Sequence, residues 1–154
     1  MGAEDATVLG PGEGRMFHLG LDPVIVKFDG GSTGTPFALI ESVVSPAVPG
    51  PPPHIHRDGL AEFWFVLEGE LEFFVGDSTR RAPAGSFAHV PAGVVHTFSN
   101  PGVAPAKFIG IFSSVRGLSM LEEFATAFPT GGGPPNLERI AEVFRTYDVE
   151  VVGG

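Results

Sequence analysis

The sequence predicts an all-β jelly-roll barrel, or double β-sandwich, finished by two short C-terminal α-helices. Short apolar runs recur along the chain with turn residues between them, glycine (22) and proline (15) are abundant, and no helix-length pattern interrupts the runs before the tail. Many short strands need many Gly/Pro corners. The 43% hydrophobic content and 14 phenylalanines argue against low-complexity disorder. At 154 residues there is one domain's worth of chain. It reads as a single domain over 1–154, with a flexible lead at 1–15, a β-barrel core at 16–115 and a helical tail at 116–154.

Alternation begins at "RMFHL" and "VIVKF", two strands separated by "GLDP". "TPFALIESVVSPAV" is a longer strand that stops at its prolines. "LAEFWFVLEGELEFFVGD" splits at Glu68-Gly69 into two runs and reads as a β-hairpin, and "DSTRRAPAG" reads as a turn. Further strands fit "SFAHVP", "VVHTFSN" and "AKFIGIFSSV". In the tail, "SMLEEFATAF" carries a capping-box pattern with Ser119 at the cap and Glu122 three residues on. Leu121, Phe124, Ala125 and Phe128 share its apolar face. The loop "PTGGGPP" leads to "NLERIAEVFRTY", capped by Asn136, with Leu137, Ile140, Ala141 and Phe144 on one face. "DVEVVGG" can add an edge strand.

Charge and composition exclude several functions. The net charge is −9 and the only basic cluster is Arg80-Arg81, so the footprint that a phosphate backbone requires is missing and nucleic acid is not an expected partner. There is no cysteine, hence no disulfide, thiolate nucleophile or Cys-type zinc site. "MGAEDATVLGPGEGR" lacks a basic segment and an apolar core, and no run approaches the length of a membrane span. The expectation is a soluble, cytoplasmic protein. Phosphate-binding, nucleophile-elbow and H-E-x-x-H patterns are absent.

The chemistry concentrates in four residues. Side chains at i and i+2 of a strand point the same way, so His54 and His56 can aim two imidazoles at one point. Taken alone, the pair could equally be two half-exposed loop histidines. Glu62 opens the run Phe63-Trp64-Phe65-Val66-Leu67, where a carboxylate is costly to bury unless it meets a cation or a donor; edge exposure is the alternative. His96 shares a strand face with Val94 and Phe98, and alone could be a satisfied core histidine. His18 and His89 fit packing or surface roles.

Read together, these residues resemble the two motifs of the cupin family. Gly50, His54, His56, Glu62 and Gly69 take the places of the first motif. Gly85, Pro91, Gly93, His96 and Asn100 take those of the second without a gap. The first motif departs from the pattern in having five residues between His56 and Glu62, so a three-histidine site completed by water or Asp58 is the alternative to a ligand at Glu62. Three imidazoles and a carboxylate suit one divalent transition metal, Fe, Mn, Ni, Co, Cu or Zn. Trp64, Phe73, Phe98 and Phe112 are expected to wall an apolar pocket around it, favouring a flat, oxygen-bearing small-molecule substrate over a sugar or nucleotide. The helical tail is similar to that of bacterial cupins grouped with quercetin (flavonol) dioxygenases. That resemblance implies a metal-dependent dioxygenase in which Glu62 is both ligand and catalytic base. A non-oxidative isomerase, cyclase or decarboxylase, or a non-catalytic small-molecule-binding cupin, are the alternatives. Apolar side chains on both faces of "EFWFVLEG" and "KFIGIF" predict a homodimer.

Overall fold

In a computed structural model, residues 6–31 and 34–153 are described. Among them eleven strands and two helices follow in the order β1 (Arg15–Leu19), β2 (Asp22–Phe28), β3 (Ala38–Val44), β4 (His54–His56), β5 (Glu62–Glu68), β6 (Glu70–Val75), β7 (Ser78–Pro83), β8 (Phe87–Val90), β9 (His96–Ser99), β10 (Ala106–Phe112), α1 (Val115–Ala125), α2 (Leu137–Thr146) and β11 (Val149–Val151). The strands form a six-stranded sheet, β1-β2-β3-β10-β5-β8, and a five-stranded sheet, β11-β4-β9-β6-β7. All pairings are antiparallel. The two sheets form a β-sandwich of jelly-roll type. The first five residues of the expected lead lie outside the described residues; at Gly10 and Glu13 the backbone carbonyls accept from Lys27 Nζ.

Period-two patterning builds the core. In β3 and β10 buried side chains alternate strictly with partly buried ones, so Ala38, Ile40, Val44, Phe108 and Phe112 join Trp64 and Val66 of the same sheet and Leu71 of the facing one in one cluster. Each large apolar side chain removed from water in this way contributes about 1.5–3 kcal/mol before entropy is counted.

The expected hairpin at Glu68-Gly69 is a corner instead. β5 pairs with β10 and β8, whereas β6 pairs with β7 and β9. A single residue separates β5 from β6, and a hairpin turn needs at least two. Gly69 makes the bend at φ +71°, where an added Cβ would lie 2.6 Å from the Pro105 carbonyl, a close approach open only to glycine. The hairpin in this region is β6–β7, with Val75 opposite Ser78 and Gly76 at φ +67° in the turn. "STRRAP", read as a turn, is therefore an edge strand. Only its Ala82 is buried, and edge charges such as Arg80 and Arg81 oppose pairing with another chain.

The first helix starts earlier than its capping box predicted. Ser114 is the cap, its Oγ accepting from the Arg116 N–H at 3.2 Å, while Ser119 Oγ contacts the Val115 carbonyl within the helix. Gly117 disguised the extra turn, because glycine is a poor helix former. Here it lets the helix lie against β10, since a Cβ would stand 2.7 Å from the Phe112 ring. Asn136 caps α2 as expected, accepting from Arg139 N at 3.0 Å. The buried residues of that end are Val143 and Tyr147, whereas Leu137 is 73% exposed. β11 forms the expected edge strand against β4.

Candidate metal centre

The site lies between the two sheets. β4 presents His54 and His56 from alternate positions, with Ile55 pointing away, and His54 sits directly opposite His96 of β9. Glu62 arrives from the facing sheet at the first residue of β5. All four side chains are buried, His56 and His96 to 2% and 3% exposure. Their candidate ligand atoms lie within 4.8 Å of one another. Donors held about 2.0–2.2 Å from one ion stand roughly 3–4.4 Å apart, so the cluster has nearly the dimensions of a coordination sphere.

Backbone partners aim the rings. His54 Nδ1 meets the Pro52 carbonyl at 2.8 Å and His96 Nδ1 meets the Val94 carbonyl at 3.0 Å. Each Nδ1–H is thereby committed, which turns both Nε2 atoms to the centre and fixes the tautomer. Glu62 Oε2 faces His96 Nε2 at 2.7 Å and His56 Nε2 at 3.2 Å. With His96 Nδ1–H already donated, its Nε2 lone pair can lie that close to a carboxylate only if a positive charge, a proton or a metal ion, is present. His56 Nδ1 is buried without a partner.

The electrostatics agree with this reading. Burial would push the Glu62 carboxyl up, but hydrogen bonds from His56 and His96 outweigh it and hold the group down to about 2. Burial, followed by repulsion from His96, lowers His54 to about 4. Burial also opposes charge on His96, yet the Glu62 hydrogen bond and attraction win and raise its pKa. The ionised Glu62 thus favours positive charge at the imidazole beside it, and a divalent ion would supply that charge in place of a proton. His54, His56, Glu62 and His96 form a metal site.

The lengthened step from His56 to Glu62 is absorbed outside it. Asp58 does not turn inward: its Oδ2 meets Arg116 Nε at 3.3 Å and its Oδ1 accepts from Leu60 N. Arg57 pairs with Glu150 at 2.7 Å.

The centre opens into a cavity of about 690 Å³. Trp64, Phe98 and Phe112 line it, whereas the ring of Phe73 packs behind those of Trp64 and Phe98. The roof, which sequence reasoning did not assign to the site, comes from the tail. Phe144 stacks near His54 (centroids 6.3 Å apart, 20° between planes) and then on Phe124 (5.7 Å, 6°), and Phe128 meets Phe124 edge-on. Their shared helical face in the sequence was the available signal. Among the described residues no lysine or arginine lines the cavity. His18 and His89 are exposed, and His89 stacks on Phe63 on the outer face of the six-stranded sheet.

Two antiparallel sheets holding one inward three-histidine, one-carboxylate cluster define a metal-binding jelly roll. Residues 41–112 match the family model described as the cupin domain, and with this fold and site they are a cupin domain. The chain is similar to mannose-1-phosphate guanylyltransferase 2 of Escherichia coli O157:H7, 33% identical over 60 residues, which are 39% of this chain and only 12% of that protein's length. A sugar phosphate isomerase of the cupin superfamily from Silicibacter pomeroyi is 25% identical with a TM-score of 0.52, over 60% of this chain and 59% of that one. The oxalate decarboxylase of Bacillus subtilis, known for Mn(II) centres, is 22% identical with a TM-score of 0.50, over 60% and 26%; that likeness shows the fold alone. Among the described residues no helix is long and apolar enough to cross a membrane.

Proposed function

We propose that this chain is a metal-dependent enzyme of the quercetin-dioxygenase-like type, adding dioxygen to a small, flat, largely apolar molecule that carries an acidic hydroxyl. The cavity is the observation that supports this. Its walls are aliphatic and aromatic, and its charged residues are the metal cluster and Asp22. Sugar phosphates need cationic or N–H partners for the phosphate, and no lysine or arginine among the described residues lines the walls, which sets this cavity apart from what the names of the sugar-phosphate relatives imply for those proteins. A bound divalent transition metal would supply Lewis acidity and access to dioxygen chemistry.

The chain's own residues supply orientation and a proton acceptor. Glu62 uses Oε2 for both imidazoles, and its Oε1 has no hydrogen-bond partner, so Oε1 is the atom open to a substrate hydroxyl. A carboxylate held so acidic accepts a proton efficiently only from an acidic donor, such as an enol or a phenol. The Phe144–Phe124 stack and Trp64 keep water from that exchange and strengthen it.

Oxygen uptake by the metal-loaded protein, measured with a panel of planar enolic aromatics, tests the reading. Substrate-dependent uptake is expected, lost together with bound metal in His54→Ala and His96→Ala. The names of the isomerase and decarboxylase relatives favour a non-oxidative alternative; turnover under nitrogen at an undiminished rate would establish it.

A second copy of this chain is the partner that the outer sheet face fits. Phe65 and Phe87 are cross-strand partners at 44% and 65% exposure, flanked by Phe63, Ile109 and Ile111. Light scattering is expected to give a dimer that Phe65→Glu converts to monomer; a clean wild-type monomer removes the proposal.

A further inference from the structure

The cavity has a far end that the metal centre does not explain. Glu62 pairs with Phe112 of β10, two residues on Trp64 pairs with Gly110, and two further on Val66 pairs with Phe108, which pairs with Ser42 of β3 on its other side. Ser42 therefore lies four residues along and two strands across from Glu62. That is roughly 16 Å between Cα atoms on a flat sheet, and less between side-chain ends on a concave one. One continuous cavity touches both.

Ser42 is an anomaly in its row. It is 7% exposed and lies among Val24, Ile40, Val44 and Phe108, where alternation calls for another aliphatic residue. Its Oγ has one polar contact, the Val43 carbonyl at 3.5 Å, beyond the ordinary O–H···O range of about 2.5–3.0 Å. A hydroxyl buried without a good partner destabilises the empty protein. The other polar groups of the wall are engaged or lie elsewhere. Asp22 and Ser45 bind each other, and the Trp64 indole, whose N–H has no partner, stands beside His96. Between the two ends Gly110 carries no side chain, and Ile40 and the Phe108 ring pack over it, each 3.2 Å from where a Cβ would stand. The wall from the metal ligands to the hydroxyl is thus apolar, formed by Trp64, Gly110, Phe108 and Ile40.

We infer that Ser42 Oγ hydrogen-bonds an oxygen at the end of the ligand remote from the metal centre, so that the ligand is an elongated planar molecule oxygenated at both ends. This specificity-determining role rests on the cavity being the binding site of a flat apolar molecule, as proposed above, and adds its length and its second polar group.

The test compares metal-loaded wild type, Ser42→Ala and Ser42→Thr with 3-hydroxyflavone and its analogues carrying one more hydroxyl, at position 7 or at 4′. Binding is followed by calorimetry or by quenching of Trp64, the single tryptophan. Wild type is expected to prefer one dihydroxy analogue over the parent by about 3- to 10-fold. Ser42→Ala should abolish that preference while holding the parent within about twofold, and Ser42→Thr should restore it. The ligand-free Ser42→Ala protein should melt no lower than wild type, because its hydroxyl has no good partner to lose. A preference that survives in Ser42→Ala, or a clearly lower melting temperature of that variant, overturns the role of Ser42 alone. Failure of wild type to bind any of the three overturns the flat-ligand reading and this inference with it.

Discussion

Replacing Asn100 by alanine isolates the residue that closes the second motif but ligates nothing. Asn100 is 1% exposed. Its Nδ2 donates to the Val44 carbonyl at 3.0 Å and the Ala104 carbonyl at 2.9 Å, and its Oδ1 accepts from Gly102 N at 3.0 Å. It thus ties the turn after β9 to the end of β3 across the two sheets. Three neutral hydrogen bonds contribute about 1 kcal/mol each, and stranding the buried Val44 carbonyl adds desolvation cost, so Asn100→Ala should destabilise by about 3–5 kcal/mol. Against a total of about 5–15 kcal/mol this is a large fraction, equivalent to roughly 10–15 °C in melting temperature. Guanidinium unfolding of the metal-free protein measures it. The folded fraction should still take up metal, because His96 keeps its own Val94 partner. A loss under about 1 kcal/mol, or metal uptake abolished at unchanged stability, would refute this assignment.

Three further outcomes are expected. Gly50→Ala places a Cβ 1.7 Å from the Phe98 carbonyl at φ +73°, so β4 must move off β9; metal content and stability should fall together, and an intact metal content would show that β4 is held in some other way. Gly117→Ala should destabilise, although alanine gains about 1 kcal/mol in an open helix, because the Phe112 ring fills the space; a higher melting temperature counts against the packing described. The metal-free protein should lose stability as pH falls from 6.5 towards 4. His54 drops from 6.5 unfolded to about 4 folded, so the unfolded chain binds more protons across that window and acid favours it, by a few kcal/mol at most. The raised His96 works in the opposite sense, its contribution fading as pH rises through its folded pKa. Comparing the slopes of wild type and His54→Gln checks the sign: removing His54 should flatten the acid limb.

The ligand residues were legible only together. A strand puts i and i+2 on one face, but alone His54 and His56, Glu62 and His96 each fit an ordinary structural role, and it was their joint match to the two cupin motifs that marked them as one site. What escaped depends on distant partners. One residue between two strands reads as a turn until Pro105 is seen against Gly69, and "STRRAP" reads as a loop because an edge strand needs no apolar face. Gly117 hides a helical turn that only Phe112 explains. Phe73 has the right alternation for a pocket wall, yet Trp64 and Phe98 stand in front of it. Ser42 carries no motif at all; its meaning comes entirely from the apolar residues around it.

The three-residue strand β11 has a consequence for the order of assembly. β4 meets β9 through the single pair His54–His96, and its other edge is completed by Val149 and Val151, with Arg57 N–Asp148 O and Val152 N–Pro53 O bonds at either end. Arg57 and Glu150, which tie this seam, are 93 residues apart. Contacts that close so long a loop form late. The ion should therefore find its histidines gathered only after the last turns of chain have docked. Metal capture would then report completion of folding rather than initiate it, and a nick between α2 and β11 would release the ion before it melted the barrel.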